Sequence, residues 1–364
     1  MSLQQKKCVF CGNPPEKKNK EHVIPQWLIK FTGDINRKIT LGVDYQHMMD
    51  TGELRNRSFS FNAFHFPACE ACNTKYSKLE DQAKFIFHKI VNKEFIDSEE
   101  VDLFLDWMDK VRVGLWLANL LLNKDILLDT VNPKFHIEKR IGAKDRILVI
   151  YQINDDLKGI QFYGTTTPGF IFNPCCFYLV VNNLIFFNVS GDYIVSKNLG
   201  FPYASKFVYT GREDRAVVAH LVQGKEKIKT PIFRKAFRRA SVEIYQHINS
   251  DKLAVLKDSL FLNGLYDTDY VRNNSLDGTG KSSIFILQDE HISKLENDEE
   301  LVLTNDLTFD RKAINEILKQ QLFEIQLSII EQIPEYETEE GNKKENVRRL
   351  RSVINLHKKY SKIM

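Results

Sequence analysis

Two short stretches near the N-terminus carry the pattern that decides the fold: "KKCVFCGNPPEKKNKEHVIPQWL" at residues 6–28 and "CEACN" at residues 69–73. Each stretch contains two cysteines separated by two residues. The four cysteines are Cys8, Cys11, Cys69 and Cys72. Such a pair suits a tight turn that directs two sulfurs at one ion, and four thiolates complete a tetrahedral structural zinc site. Unrelated buried cysteines are the alternative, and the presence of two matched pairs favours zinc.

The residues that follow each pair agree with a zinc site. Gly12 comes directly after the first pair, where a zinc knuckle needs a residue that tolerates a positive φ. After Cys72, apolar residues recur at helical spacing, so this pair is expected at the N-terminus of a helix. The apolar residues are Leu79, Ala83, Ile86, Phe87 and Ile90. A shared ion would hold the first pair against this helix and bring Glu21 and His22 towards Asn73.

These three polar residues have a chemistry in common. A carboxylate and an amide oxygen, from Glu21 and Asn73, suit a hard cation such as Mg²⁺. The His22 imidazole can take a proton from an attacking water. A Lewis acid and a base are what metal-assisted hydrolysis of a phosphodiester needs. A surface Glu–His pair without a function is the alternative, and the flanking cysteine pairs favour the functional interpretation.

The order C-x2-C, "EHVIP", C-x2-C-N resembles the HNH endonuclease family, which has a ββα-metal nuclease core, over about residues 6–92. The resemblance implies that His22 is the general base and that Glu21 and Asn73 bind a catalytic divalent ion, Mg²⁺ or another. It also implies that the four cysteines bind structural zinc and that DNA is the substrate. A role in bacterial restriction or phage defence follows from the same resemblance, with a homo-oligomer or a defence-system protein as partner.

One position departs from the family pattern. The middle asparagine of the family falls at Phe64, and Asn62 and His65 stand nearby as candidates for its orienting role. His65 is also a candidate for contact with the metal, or a structural histidine. The departure keeps one alternative open, a non-catalytic zinc-containing nucleic-acid-binding protein. An RNA-directed nuclease is a further alternative, since the metal-binding residues do not distinguish deoxyribose from ribose. The residues between His22 and Cys69 leave room for an inserted hairpin.

Basic residues concentrate in two places, although the net charge of +3 does not by itself predict a nucleic-acid partner. Lysines dominate the first thirty residues, and a second concentration follows Gly224 with helical spacing. The candidates for contact with phosphates are Lys18, Lys20, Lys75, Arg234, Lys235, Arg238 and Arg239. The second concentration is equally typical of an amphipathic helix with a solvated face.

The sequence predicts an α+β protein with three parts. Residues 1–92 form the zinc-stapled nuclease module, 93–305 a larger mixed domain, and 306–364 a helical C-terminal segment. A long buried helix is expected within "KEFIDSEEVDLFLDWMDKVRVGLWLANLLLNKD", residues 93–125, and strands at "RILVIYQI", "GIQFYG", "GFIFN" and "CCFYLVVNNLIFFNVSG". The vicinal Cys175 and Cys176 are interpreted as core residues rather than a redox pair. The "GTGKSS" at 278–283 lacks the context of a phosphate-binding loop.

Composition sets the broad class. Apolar residues make up 43% and charged residues 27% of the 364 residues, the balance of a globular protein. The start "MSLQQKKCVF" has no apolar run typical of a signal peptide, and no uninterrupted stretch is long and apolar enough for a membrane helix. We therefore expect a cytoplasmic protein without a membrane partner, in which spaced cysteines bind metal more often than they form disulfides.

Overall fold

A computed structural model describes the greater part of the chain. The described residues are 7–15, 19–33, 38–44, 47, 50–53, 55–60, 65–122, 136–153, 155–199, 203–210, 216–222, 241–248, 281–288, 291–296, 299, 301–302, 310–332 and 343–362. The fold is α+β, as the sequence predicts.

The N-terminal part is a strand pair followed by a helix. In chain order its elements are β1 (Asn19–His22), α1 (Gln26–Phe31), β2 (Lys38–Val43), β3 (Asn56–Ser60), β4 (His65–Ala68) and α2 (Glu70–Asn92). Strand β1 pairs antiparallel with β4, and α2 follows β4 directly. Strands β2 and β3, which come between β1 and β4 in the chain, pair antiparallel with each other. This pairing confirms the predicted inserted hairpin.

The remaining elements build a seven-stranded sheet with helices on both sides and two separate two-stranded sheets. They are β5 (Phe95–Ile96), α3 (Ser98–Leu122), β6 (Asp145–Gln152), β7 (Ile160–Tyr163), α4 (Pro168–Phe172), β8 (Cys176–Val181), β9 (Leu184–Gly191), α5 (Ile194–Leu199), β10 (Tyr203–Thr210), β11 (Ala216–Val222), β12 (Ser241–Gln246), β13 (Phe285–Gln288), β14 (His291–Lys294), β15 (Leu301–Val302), α6 (Arg311–Gln332) and α7 (Lys343–Ser361). A short 3₁₀ turn spans Ile137–Lys139. The predicted long buried helix is confirmed as α3.

The main sheet is antiparallel, in the order β14-β13-β12-β6-β9-β8-β7. Alternate side chains of its strands face opposite sides, so an almost continuous apolar run can fill two cores. Leu148 and Ile150 of β6 join the core that contains α2 and α3. Ile147 and Val149 join the core formed with α6. Strands buried on both faces therefore explain why these segments read as unbroken apolar stretches.

One predicted strand is wrong. Residues Pro168–Phe172, from "GFIFN" and the proline before it, form helix α4 instead. Thr167 caps this helix by accepting a hydrogen bond from the backbone N–H of Phe170, and a proline stands in its first turn. A cap and an N-terminal proline favour a helix start over strand propensity in so short a segment. Cys175 and Cys176 are fully buried in the second core, as predicted.

The C-terminal helices are also confirmed. Helix α6 places Ile314, Leu318, Leu322, Ile325 and Ile329 against the sheet, whereas Ile317 is 39% exposed. Helix α7 packs against α4 and α6. Among the described residues, no helix combines the length and the apolar character needed to cross a bilayer.

Candidate metal centre and the adjoining polar cluster

The four cysteines of the two C-x2-C pairs converge on one point. Their sulfur atoms all lie within 4.8 Å of one another, and the Sγ atoms of Cys11 and Cys69 are 4.0 Å apart. A tetrahedral zinc ion with Zn–S bonds of about 2.3 Å separates its sulfurs by roughly 3.8 Å. The four thiols can therefore hold a metal ion such as zinc without a large rearrangement.

Local backbone geometry places these sulfurs. Gly12 has a φ of +85°, the left-handed conformation that the knuckle needs, and its N–H donates to the carbonyl of Cys8 over 3.0 Å. A Cβ atom on Gly12 would lie 2.1 Å from Nε2 of His136, so any side chain at this position requires the imidazole to move. The requirement for glycine thus has two physical causes, the backbone angle and the imidazole beside it.

The second pair is built into a helix N-terminus. Cys69 is the N-cap of α2, and its sulfur accepts a hydrogen bond of 3.5 Å from the backbone N–H of Cys72. The helix dipole and the unpaired N–H groups of a first turn favour negative charge, which suits thiolate ligands. The predicted position of this pair at the start of a helix is confirmed.

The thiol pKa values show how the four groups influence each other. Burial raises the pKa of both Cys11 and Cys72. Burial alone would also raise the pKa of Cys8, but backbone N–H groups, first that of Cys11, outweigh it and lower the pKa. Without a cation, several thiolates in one place repel each other. A bound metal ion removes this penalty and releases protons as it binds.

A buried ion-pair cluster lies at the other end of β1. The Nζ atom of Lys110, in α3, donates to Oε1 of Glu21 over 2.5 Å and also to Oε1 of Glu80 in α2. The side chains of Lys110 and Glu21 are 2% and 9% exposed, so this cation lies between two carboxylates in the interior. We call Glu21, Glu80 and Lys110 the lysine cluster.

Burial and the neighbouring charges shift the pKa values of Lys110 and Glu80. Burial would lower the pKa of Lys110, but Glu80 and Glu21 together raise it. Burial raises the pKa of Glu80, and Lys110 opposes that shift. Since Lys110 is the counter-charge of both carboxylates and Glu21 also raises the pKa of Glu80, loss of the lysine would leave two neighbouring carboxylates, one buried and one partly buried, without compensation.

His22 lies beside this cluster, at the end of β1. It pairs in register with His65 of β4, and the two ring centroids are 6.3 Å apart. Burial, then the neighbouring His65, lowers the pKa of His22, while Glu80 acts in the opposite direction. His65 is exposed and His22 is partly buried. A neutral imidazole near the surface, with a carboxylate close by, is competent to accept a proton at pH 7.

Asn73 is placed differently from Glu21 and His22. It lies partly buried in the first turn of α2, where its backbone N–H donates to the carbonyl of Cys69 over 2.9 Å. Within the described part of the chain, its side chain forms no hydrogen bond with Glu21 or His22. The structure therefore groups Glu21 and His22 with Glu80 and Lys110, and the predicted ligand role of Asn73 stays a prediction.

The structure describes only some of the residues that are predicted to bind phosphates. Lys20 is exposed, and Lys75 is exposed but donates to Glu138 over 2.7 Å. Several of the residues named in the predictions lie outside the described residues. They are Lys18, Asn62 and Phe64, together with Arg234, Lys235, Arg238 and Arg239 of the second basic concentration. Of the two residues predicted near the middle motif position, the structure describes His65, and its orienting role stays a prediction.

Sequence patterns did not indicate Glu80 and Lys110. Glu80 is seven residues after Asn73 and so shares its helix face, a spacing that could have identified it. Lys110 stands in "WMDKVRVGLW", a predicted buried helix, and a charged residue in such a segment calls for a partner. Which partner it finds depends on the packing of α2 against α3.

Comparisons with protein-family models, with curated proteins and with solved structures gave no match for this chain. The class of the protein therefore rests on the geometry of the cysteine site and the lysine cluster.

Proposed function

We propose that this protein is a metal-dependent endonuclease of the HNH type that hydrolyses phosphodiester bonds in DNA, in restriction or phage defence. One observation carries the proposal. Glu21 and His22 end a strand that pairs with β4, α2 follows β4, and the two cysteine pairs meet at the start of that helix. A strand–strand–helix unit with this motif order is what the resemblance to HNH nucleases implies.

The catalytic roles follow from the chemistry of the side chains. His22 takes a proton from the attacking water, and its lowered pKa keeps the imidazole neutral at pH 7. Glu21 and Asn73 would hold a divalent ion, which supplies charge stabilisation at the phosphate and the leaving oxygen. Lys110 bonds Oε1 of Glu21, so Oε2 is the oxygen that this role requires. The lysine cluster fixes the carboxylate next to the base.

The test is cleavage of supercoiled plasmid with Mg²⁺ by the parent and by His22→Ala. Loss of a general base is expected to slow cleavage by about 100-fold or more. His88→Ala is the matched control, because His88 lies on α2 and packs on Phe31, 5.6 Å between ring centroids, instead of joining the site. Equal cleavage rates for the parent and His22→Ala would refute the role of His22. Zinc content and thermal unfolding should be unchanged in both variants.

A second candidate is a non-catalytic nucleic-acid-binding protein that keeps the zinc scaffold. The ion pair between Glu21 and Lys110 favours it, because a lysine already neutralises the carboxylate that an ion would need. Duplex binding without nicking in Mg²⁺, Mn²⁺ or Ni²⁺ would support this candidate over the nuclease. Competition between DNA and RNA substrates tests the choice of DNA.

A further inference from the structure

Helix α7 buries one face and leaves the opposite face in solvent. The buried residues are Leu350, His357 and Tyr360, which are 6%, 1% and 5% exposed. His357 accepts a hydrogen bond of 3.2 Å at Nδ1 from the backbone N–H of Gly169, and the Tyr360 hydroxyl lies 3.2 Å from that of Thr166. The helix is thus fixed in rotation, so the direction of its exposed face is set by the fold.

The exposed face carries positive charge. Residues 343–362 contain eight lysines and arginines and one acidic residue, Glu345, in a chain whose net charge is only +3. The rest of the chain is therefore net negative, even though it includes the two other basic concentrations. Charge of this density makes α7 a surface that attracts a polyanion, although the molecule as a whole is nearly neutral.

Four of these positive charges form a narrow stripe. We use the name basic stripe for a set of exposed residues along this face, which are Arg348, Arg351, Asn355, Lys359 and Lys362. At 3.6 residues per turn they fall within about 80° of one helix face, and they span about 21 Å along its axis. Lys358 flanks the stripe but is paired with Glu331 at 3.0 Å. In the described part of the chain, no ion pair or hydrogen bond involves the cationic groups of the stripe itself.

The residue types of the basic stripe favour one class of binding partner over the others. A membrane-binding helix inserts an apolar face, but here the apolar face is buried against α4 and α6, and Leu356, 42% exposed, stands outside the stripe. A protein interface has an apolar centre, which the stripe lacks. A nucleic-acid backbone needs only spaced cations and hydrogen-bond donors, and one DNA strand presents roughly six phosphates over about 21 Å.

We propose that the basic stripe of α7 binds the phosphate backbone of double-stranded DNA. This inference deepens the proposed function, since it gives the nuclease a sequence-independent binding surface on the C-terminal helix. Contacts of this kind orient a protein on the duplex without reading bases, so cleavage preference would be set elsewhere.

The experiment measures binding of a fluorescein-labelled DNA duplex by anisotropy, with zinc-loaded full-length protein and no added divalent cation. The variant is Arg348→Gln/Arg351→Gln/Lys359→Gln/Lys362→Gln, in which glutamine keeps helix propensity. The control of equal charge is Lys30→Gln/Lys84→Gln/Lys158→Gln/Lys312→Gln, whose four exposed lysines lie on three different helices and in the connection between β6 and β7. Circular dichroism and zinc content confirm that both variants fold.

We expect the stripe variant to lose about tenfold or more in affinity at 100 mM salt, and its salt slope to fall by up to about 3.6. The control variant is expected to bind within about twofold of the parent. Equal losses in the two variants would mean a general charge effect and would overturn the proposal. So would loss of binding to phosphatidylserine vesicles with DNA binding intact.

Plasmid cleavage in Mg²⁺ separates this inference from the nuclease proposal. If no protein nicks plasmid but the stripe variant alone loses duplex binding, the stripe stands and the nuclease fails. If His22→Ala abolishes cleavage while the stripe variant binds duplex like the parent, the nuclease stands and the stripe fails.

Discussion

The N-terminal module, residues 7–92, and the main sheet with α3 and α6 use buried charge in different ways. In the sheet, Arg146 of β6 is 0% exposed and pairs with Asp102, Asp106 and Asp109 of α3. The charges of these groups compensate one another, and the ion pairs join α3 to the main sheet. Where α3 meets the module, the lysine cluster lies beside a partly buried histidine whose strand partner is exposed. Buried ion pairs become candidates for function where they adjoin a titratable group near solvent.

The two regions also differ in what stabilises them. The sheet shares one core with α3 and the apolar residues of the module. It has a second core, formed with α6, whose residues are almost all below 3% exposed, so burial of apolar surface accounts for its stability. Strands β1 and β4 have four residues each, and four sulfurs meet beside them. The stability of the module should therefore depend on a bound metal ion, and the stability of the sheet should not.

Metal removal is expected to have the largest effect. Structural zinc contributes about 10–16 kcal/mol of apparent binding free energy. A strong chelator, or Cys69→Ser, should therefore remove hydrogen-exchange protection from α2 and β4 while β6 and β9 keep theirs. Elemental analysis should give one zinc per chain for the parent. Cys175→Ala is the control, because this buried cysteine lies in the sheet core and its loss should leave the zinc content unchanged. Simultaneous loss of protection in both regions would contradict the distinction.

Loss of Lys110 comes next. Lys110→Ala leaves Glu21 and Glu80 buried without a counter-charge, and we expect the free energy of unfolding to fall by about 3–5 kcal/mol in urea titrations. Lys75→Ala also breaks a Lys–Glu pair, with Glu138, but its side chain is 61% exposed, so less than about 1 kcal/mol should be lost. A similar loss for both variants would mean that burial of the cluster contributes little.

Asp145 gives the sheet region a pH dependence. Burial raises its pKa to about 7, although it accepts hydrogen bonds from backbone N–H groups of Val195, Ser196 and Ile248. An unfolded aspartate has a pKa of about 3.9, so the folded state binds more protons between these values. The stabilising contribution is therefore complete below about pH 4 and is lost as pH rises through about 7.

The measurement compares unfolding free energies of the parent and Asp145→Asn at pH 5 and pH 8. The parent should lose stability relative to the variant at the higher pH, by a few kcal/mol at most. Titrations of other groups cancel in this difference. An unchanged difference between the two pH values would show that the hydrogen bonds to the carboxylate outweigh its burial.

The smallest effect concerns the knuckle. Gly12→Ala combines a φ of +85° with a Cβ contact of 2.1 Å to His136, whereas Gly33→Ala has a φ of +101° and no atom within 4 Å. Backbone strain alone costs of the order of 1 kcal/mol. Gly12→Ala should therefore lower the unfolding free energy by about 2 kcal/mol, and Gly33→Ala by about half of that. Equal losses would mean that His136 moves aside freely.

Much of the local structure could be predicted from short-range patterns. The helices at Glu70–Asn92, Ser98–Leu122 and Arg311–Gln332, and the hairpin turn at Asn182 with its φ of 53°, follow from periodicity and turn chemistry. The segment at Pro168–Phe172 did not, since its cap and proline outweighed an aromatic, strand-like composition. Short segments carry too few residues for periodicity to decide between helix and strand.

The sequence by itself determined the four thiol ligands, the position of glycine after the first pair, and the adjacency of Glu21 and His22. These depend on residue type and spacing of a few positions, which chain connectivity preserves in any fold. Only the tertiary structure decided that Lys110 neutralises Glu21, that His65 faces His22, and that the charged face of α7 points outward. Lys110 and Glu21 are 89 positions apart, and His357, which fixes α7, is 188 positions from Gly169; such contacts arise because packing of whole elements brings distant groups together.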